Sequence, residues 1–158
     1  MTDTHAAATG TADREIVITR QLEAPRALVW AAFTDPRQVV HWWGPDGFTN
    51  TIHEMDVRPG GVWRFIMHGP DGVDYHNRVD YLEVVEPERL VYDHGDDGPD
   101  PAPPFHVTVR FDEVDGGTRV TLRSVFASPE ECARVKAFGA TEGGRQTLRR
   151  LAEYLATL

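Results

Sequence analysis

The feature that most limits what this chain can fold into comes last in it. Between Thr141 and Leu158, the residues Gly144, Leu148, Leu151, Ala152 and Leu155 recur at offsets of three and four, which places them on one stripe of a helix. Arg145, Arg149, Arg150 and Glu153 fall on the opposite side, which the pattern assigns to water. One helix cannot bury such a stripe alone. Most of residues 15–126 reads instead as β-strand, so the natural partner is a single curved antiparallel sheet. Where the helix carries small residues, space remains between it and the sheet, and that space is where function is sought.

Glu15 to Leu22 alternates as a first strand. Ala24-Pro25 and Asp35-Pro36 then open two short helices. Asp35 is placed to cap the second, with Gln38 completing a capping box, and Trp43-Gly44-Pro45 stops it. Six strands follow, separated by turn signals such as Pro59-Gly60-Gly61, Gly69-Pro70-Asp71-Gly72 and Asp115-Gly116-Gly117. Leu82, Val84 and Val85 interrupt the alternation of the long central strand, which predicts a bulge or bend. Asp93 to Pro104, rich in Asp, Pro and Gly, reads as a surface loop. Ser128-Pro129-Glu130-Glu131 starts a helix, and Gly139, Gly143 and Gly144 predict a break before the last one. Met1 to Asp13 has no apolar period and reads as a disordered tail, leaving residues 14–158 as a single domain. The expected class is α+β: a helix-grip fold with about seven antiparallel strands curved around a long C-terminal helix.

Four segments carry a resemblance. WWGPDGFT at Trp42 to Thr49, MDVRPGGVWRFIMHGPDG at Met55 to Gly72, YLEVVEPERLVY at Tyr81 to Tyr92 and EGGRQTLRRLAEYL at Glu142 to Leu155 resemble the activator of heat-shock protein 90 ATPase homologue 1-like family. That family belongs to the START-like (SRPBCC) superfamily, with polyketide cyclases, lipid-transfer domains and plant pollen allergens. The resemblance runs from about Arg14 to Leu158, implies the helix-grip fold, and places the tryptophan motif at a cavity entrance. It leaves function open, because these domains serve as carriers, cyclases, resistance proteins and a co-chaperone module.

The candidate ligand-binding residues are Trp43, Trp63, Phe65, Met67, Tyr75, Asn77, Tyr81, Val107 and Val109 on the sheet side, with Gly144 and Leu148 on the helix. Large aromatics beneath a glycine-bearing helix suit an apolar pocket, with Tyr75, Asn77 and Tyr81 supplying orienting hydrogen bonds. Trp42 and Trp43 are adjacent at a helix end, so one is expected to plug the core and the other to face the cavity. His76, His94 and His106 are assigned to loops or to the polar phase of strands, and Asp56 with Arg58 is read as an ion pair at a turn. No nucleophile, phosphate loop or metal-ligand spacing stands out, so no cofactor or metal is inferred and no catalytic residue is assigned.

A net charge of −9 argues against nucleic acid or an anionic membrane as partner. The absence of a signal segment and the lone Cys132 fit a cytoplasmic protein, monomeric or homodimeric. The leading expectation is a domain binding a small hydrophobic, aromatic ligand. A cyclase- or hydrolase-type enzyme acting on a polyketide-like substrate comes second. A co-chaperone regulating the heat-shock protein 90 ATPase comes last, since the eukaryotic co-chaperone uses a further N-terminal domain and only about thirteen residues precede the first strand here.

Overall fold

Among the described residues, seven strands form one sheet, each pairing antiparallel with its neighbours. The computed structural model describes residues 10–158. In chain order the elements are β1 (Glu15–Leu22), α1 (Arg26–Thr34), α2 (Pro36–Trp42), β2 (Thr49–Met55), β3 (Val62–His68), β4 (Asp74–Val85), β5 (Arg89–Asp96), β6 (Phe105–Val114), β7 (Gly117–Val125), α3 (Pro129–Ala137) and α4 (Ala140–Leu155). From β2 to β7 the sheet is a meander, and β1 joins its far edge by pairing with β7. The expected α+β helix-grip architecture is the observed one.

Local chemistry accounts for the element ends. Asp35 caps α2 by accepting from the backbone N–H of Arg37. Gln38 reaches the Asp35 side chain at 3.5 Å instead of the backbone, so the capping box is only half formed. Ser128 caps α3 by accepting from Glu131 N–H at 3.1 Å, with Pro129 at the first helical position. Between α3 and α4 stands Gly139 at φ +89°, a left-handed conformation that side-chain-bearing residues rarely adopt. The predicted bulge lies between Tyr81 and Glu83, where the β4–β5 register shifts and Leu82 turns outward.

Two expectations need correction. The Asp-rich segment is not a loop from Asp93 onward, because β5 continues through Asp96 with Asn77 opposite Asp96 and His94 opposite Phe105. Backbone pairing to both neighbouring strands overrides the local turn composition there. The tail assignment divides. Residues 1–9 lie outside the described residues, while Ala12–Arg14 forms a 3-10 turn beside α3. Arg14 donates to the carbonyl of Phe126 at 2.7 Å, and Arg123 donates to Thr11 Oγ1 at 2.8 Å.

The core fills the concave face of the sheet. Leu148 and Leu151 of α4 are buried against it, together with Val29 and Phe33 of α1 and Val39 and Trp42 of α2. Val79, Val109, Phe111 and Val120 answer from the sheet. Among the described residues, no helix is long and apolar enough to cross a membrane.

Candidate functional site

The stripe of α4 is not uniform, and that decides where space remains. Its C-terminal half carries Leu148 and Leu151, which fill the core. Its N-terminal half carries Ala140, Gly143 and Gly144, which reach no further than a methyl group. Beneath that half lies a cavity of about 380 Å³, within the range of small-molecule sites. Ile16 and Ile18 of β1, Tyr92 and His94 of β5, Phe105 and Val107 of β6, and Leu122 and Ser124 of β7 form its floor. Val135 and Phe138 at the end of α3 and the Trp43–Pro45 loop close its sides. Among the described residues, no Asp, Glu, Lys or Arg side chain lines it.

The candidate residues separate into three groups. Trp43, Met67, Val107 and Gly144 line the cavity. Trp63, Phe65, Tyr81 and Val109 on the concave face and Leu148 on α4 are sealed in the core, outside the lining. The reason is packing at the other end of the sheet, where Trp43 lies edge-on to Trp63 at 5.1 Å and Trp63 stacks on Phe65 at 4.0 Å. Tyr75 and Asn77 stand at a second, outer opening that shares His94, Phe105, Phe126 and Val135 with the cavity. Tyr75 is 47% exposed there, and Asn77 uses its side chain within the protein rather than offering it to a ligand.

Of the paired tryptophans, Trp42 plugs the core, its indole N–H donating to the carbonyl of Ala32 at 3.1 Å, and Trp43 faces the cavity. The loop behind Trp43 is held by a residue that the helical pattern assigns to water. Arg150 donates to the carbonyls of Trp43 (3.2 Å), Gly44 (2.9 Å), Pro45 (2.9 Å), Phe48 (3.1 Å) and His41 (3.5 Å). Withdrawal from water lowers its pKa below the ordinary guanidinium value, against the opposing pull of Asp46 and Glu153. Arg149 does remain at the surface, paired with Asp46 and near Glu153.

Gly144 belongs to the wall and also to the packing. A Cβ there would meet Ile18 Cγ1 at 3.0 Å, so a larger residue would press on β1 before it filled the cavity. Ser124 is the cleaner position for a filling side chain, since it sits on the cavity floor opposite Ile16 and Val107.

His94 is the residue that the sequence reading misplaces most. It lies on the inward face of β5, with Phe105 at 4.8 Å, Phe65 at 6.0 Å and Tyr92 at 6.4 Å between ring centres. The Leu90, Tyr92, His94 alternation is visible in the sequence, but Asp93, Gly95 and Asp96 around it suggest a loop. Ser124 carries a signal of its own, a small polar residue within the apolar row Val120, Leu122, Phe126. Burial pushes the His94 pKa down to about 4 and raises the phenols of Tyr92 and Tyr81 well above their usual value, with Tyr92 adding to the shift on Tyr81. The cavity therefore presents neutral groups at physiological pH.

That burial has a consequence for stability. The unfolded chain protonates His94 near the ordinary value of about 6.5, whereas the folded chain resists until about pH 4. The unfolded state thus binds more protons between these values, so stability is complete above pH 6.5 and falls as the pH drops towards 4. The expected loss from this residue is of order 3 kcal/mol, and His94→Phe should remove that component from urea melts taken across the interval. The charged side chains at the outer opening beside it, Asp74, Asp96, Glu131 and Arg134, stay in both proteins and cancel in the comparison.

Comparison with known proteins gives one family and many solved structures. The family model described as Activator of Hsp90 ATPase homolog 1-like protein matches residues 23–156. A Mycobacterium smegmatis protein is 31% identical with a TM-score of 0.85, the alignment covering 93% of this chain and 94% of that one. An Arthrobacter aurescens protein is 27% identical at a TM-score of 0.85, covering 94% and 89%. A Nitrosomonas europaea protein is 26% identical at 0.80, covering 92% and 96%. No curated protein matches.

Proposed function

The chain belongs to the Activator of Hsp90 ATPase homolog 1-like family, and from that premise we propose that it carries or senses a small, uncharged, hydrophobic ligand of aromatic type in the cytoplasm. The ligand sits between the concave face of the sheet and the small-residue half of α4. The observation that carries this reading is an apolar cavity whose wall, among the described residues, holds no charged side chain. An ionic ligand would lose its hydration there and find no partner. Among the described residues, the titratable side chains in the wall are Tyr92 and His94, both held neutral by burial, which favours holding a molecule over moving protons on it. Cys132 is free and buried, in keeping with a reducing compartment.

Titration with the neutral dye N-phenyl-1-naphthylamine tests the proposal. The expected dissociation constant is micromolar, about −8 kcal/mol, because the wall offers few fixed polar contacts. Ser124→Leu should weaken the dye at least tenfold while leaving the melting temperature within a few degrees. Equal binding by the two proteins would place the dye elsewhere and remove the support for the cavity as the site.

A further inference from the structure

His94 is held in one tautomer by a chain of hydrogen bonds. Asn77 Nδ2 donates to the carbonyl of Tyr75 at 2.9 Å, which fixes the orientation of the amide. Asn77 Oδ1 is then the atom that faces His94 Nε2, at 2.9 Å. An amide oxygen only accepts, so Nε2 must carry the proton. A neutral imidazole has one proton, which leaves Nδ1 as a bare lone pair. Burial keeps the ring neutral at pH 7. Nδ1 has no hydrogen-bond partner among the described residues and is not among the polar atoms sealed from solvent. The cavity wall, which includes this ring, also carries the hydroxyls of Tyr92, Ser124 and Thr147, the last donating to the carbonyl of Gly143 at 2.9 Å; a hydroxyl can both donate and accept, whereas bare Nδ1 can only accept.

We infer that His94 Nδ1 is the specificity-determining acceptor of the cavity, and that it selects neutral aromatic ligands bearing a hydroxyl donor, phenols in the first instance. This rests on the cavity reading above and names the chemical class which that reading leaves open. A phenol places its ring against Phe105 and its O–H on Nδ1, and no proton is transferred. A methyl ether of the same shape fills the same space but leaves the lone pair unmatched, and an unmatched buried polar atom is where discrimination between near-isosteres arises. Asn77 acts through His94 as a positioning residue. Without its oxygen the proton is free to move to Nδ1, and the acceptor disappears.

The test compares 3,5-dimethylphenol with 3,5-dimethylanisole as competitors of N-phenyl-1-naphthylamine at pH 7. The intact protein should prefer the phenol by about tenfold. His94→Phe keeps an aromatic ring in place but removes the acceptor, so it should bring the ratio near one. Asn77→Leu should reduce the ratio with the histidine still present. A ratio unchanged in both variants would overturn the inference and leave the cavity reading standing, whereas failure of both compounds to displace the dye from intact protein would remove the cavity reading itself. The histidine ¹⁵N spectrum of the unaltered protein decides without any variant. It should show Nε2 protonated, Nδ1 bare, and a shift of the Nδ1 signal when the phenol is added. A protonated Nδ1, or a bare one indifferent to the phenol, would contradict the assignment.

Discussion

Leu151→Ala should destabilise the protein by about 2–5 kcal/mol, the range for removing a buried leucine side chain and leaving a hole. Leu151 is 0% exposed and belongs to the same cluster as Phe33, Phe111 and Trp42. The helix that carries it packs against β1 and against α1, α2 and α3, and surroundings fixed by so many elements cannot all move into the vacated volume. Against a typical total of about 5–15 kcal/mol the loss is large. In denaturant titration the midpoint should fall with an unchanged slope, and the melting temperature should drop by roughly 4–20 °C. Arg149→Ala, two residues earlier on the outer face, should leave the midpoint nearly unchanged, because its partners are exposed Asp46 and Glu153. Equal effects from the two would mean that the faces of α4 are assigned wrongly.

Arg150→Ala should follow at about 2–4 kcal/mol, well beyond the ordinary range for a helical arginine. Removing the guanidinium leaves the carbonyls of Trp43, Gly44, Pro45 and Phe48 without their shared donor. Other contacts to the loop persist, notably Asn50 Nδ2 to the carbonyl of Trp43 at 2.9 Å and Asp46 N–H to Gln146 Oε1 at 3.1 Å. The loop should therefore loosen rather than unfold, and Trp43 with it. Weaker dye binding than stability alone explains, measured well below the melting transition, is the expected signature. Arg150→Lys should recover less than half of the loss, because one ammonium cannot span the carbonyls that the planar fork reaches. Full recovery by lysine would show that charge alone, and not the geometry of the fork, holds the loop.

The order of elements was legible because two periods are easy to tell apart. Ile16 and Ile18, Trp63 and Phe65, or Val107 and Val109 announce strands, and Leu148 with Leu151 announces the helix that covers them. The same periods say which face a side chain occupies but not how far along the sheet the helix packs. That is why Trp63, Phe65 and Tyr81 have the period of the concave face and yet belong to the core, while the cavity lies further along, over Tyr92, His94 and Ser124. His94 was obscured by composition, since Asp and Gly on either side carry a turn signal that strand pairing overrides. Arg150 was obscured by a different simplification. A cation on the polar side of a helix is read as solvated, but a planar five-donor group can equally gather the free carbonyls of a neighbouring loop.

A crystal structure with 3,5-dimethylphenol bound addresses the central claim most directly. The account predicts ligand density beneath Gly143 and Gly144, bounded by Trp43, Val107 and Ser124, with the hydroxyl directed at His94. Density at saturating ligand that lies only outside this space, or a cavity collapsed by Val135 and Phe138, would contradict it.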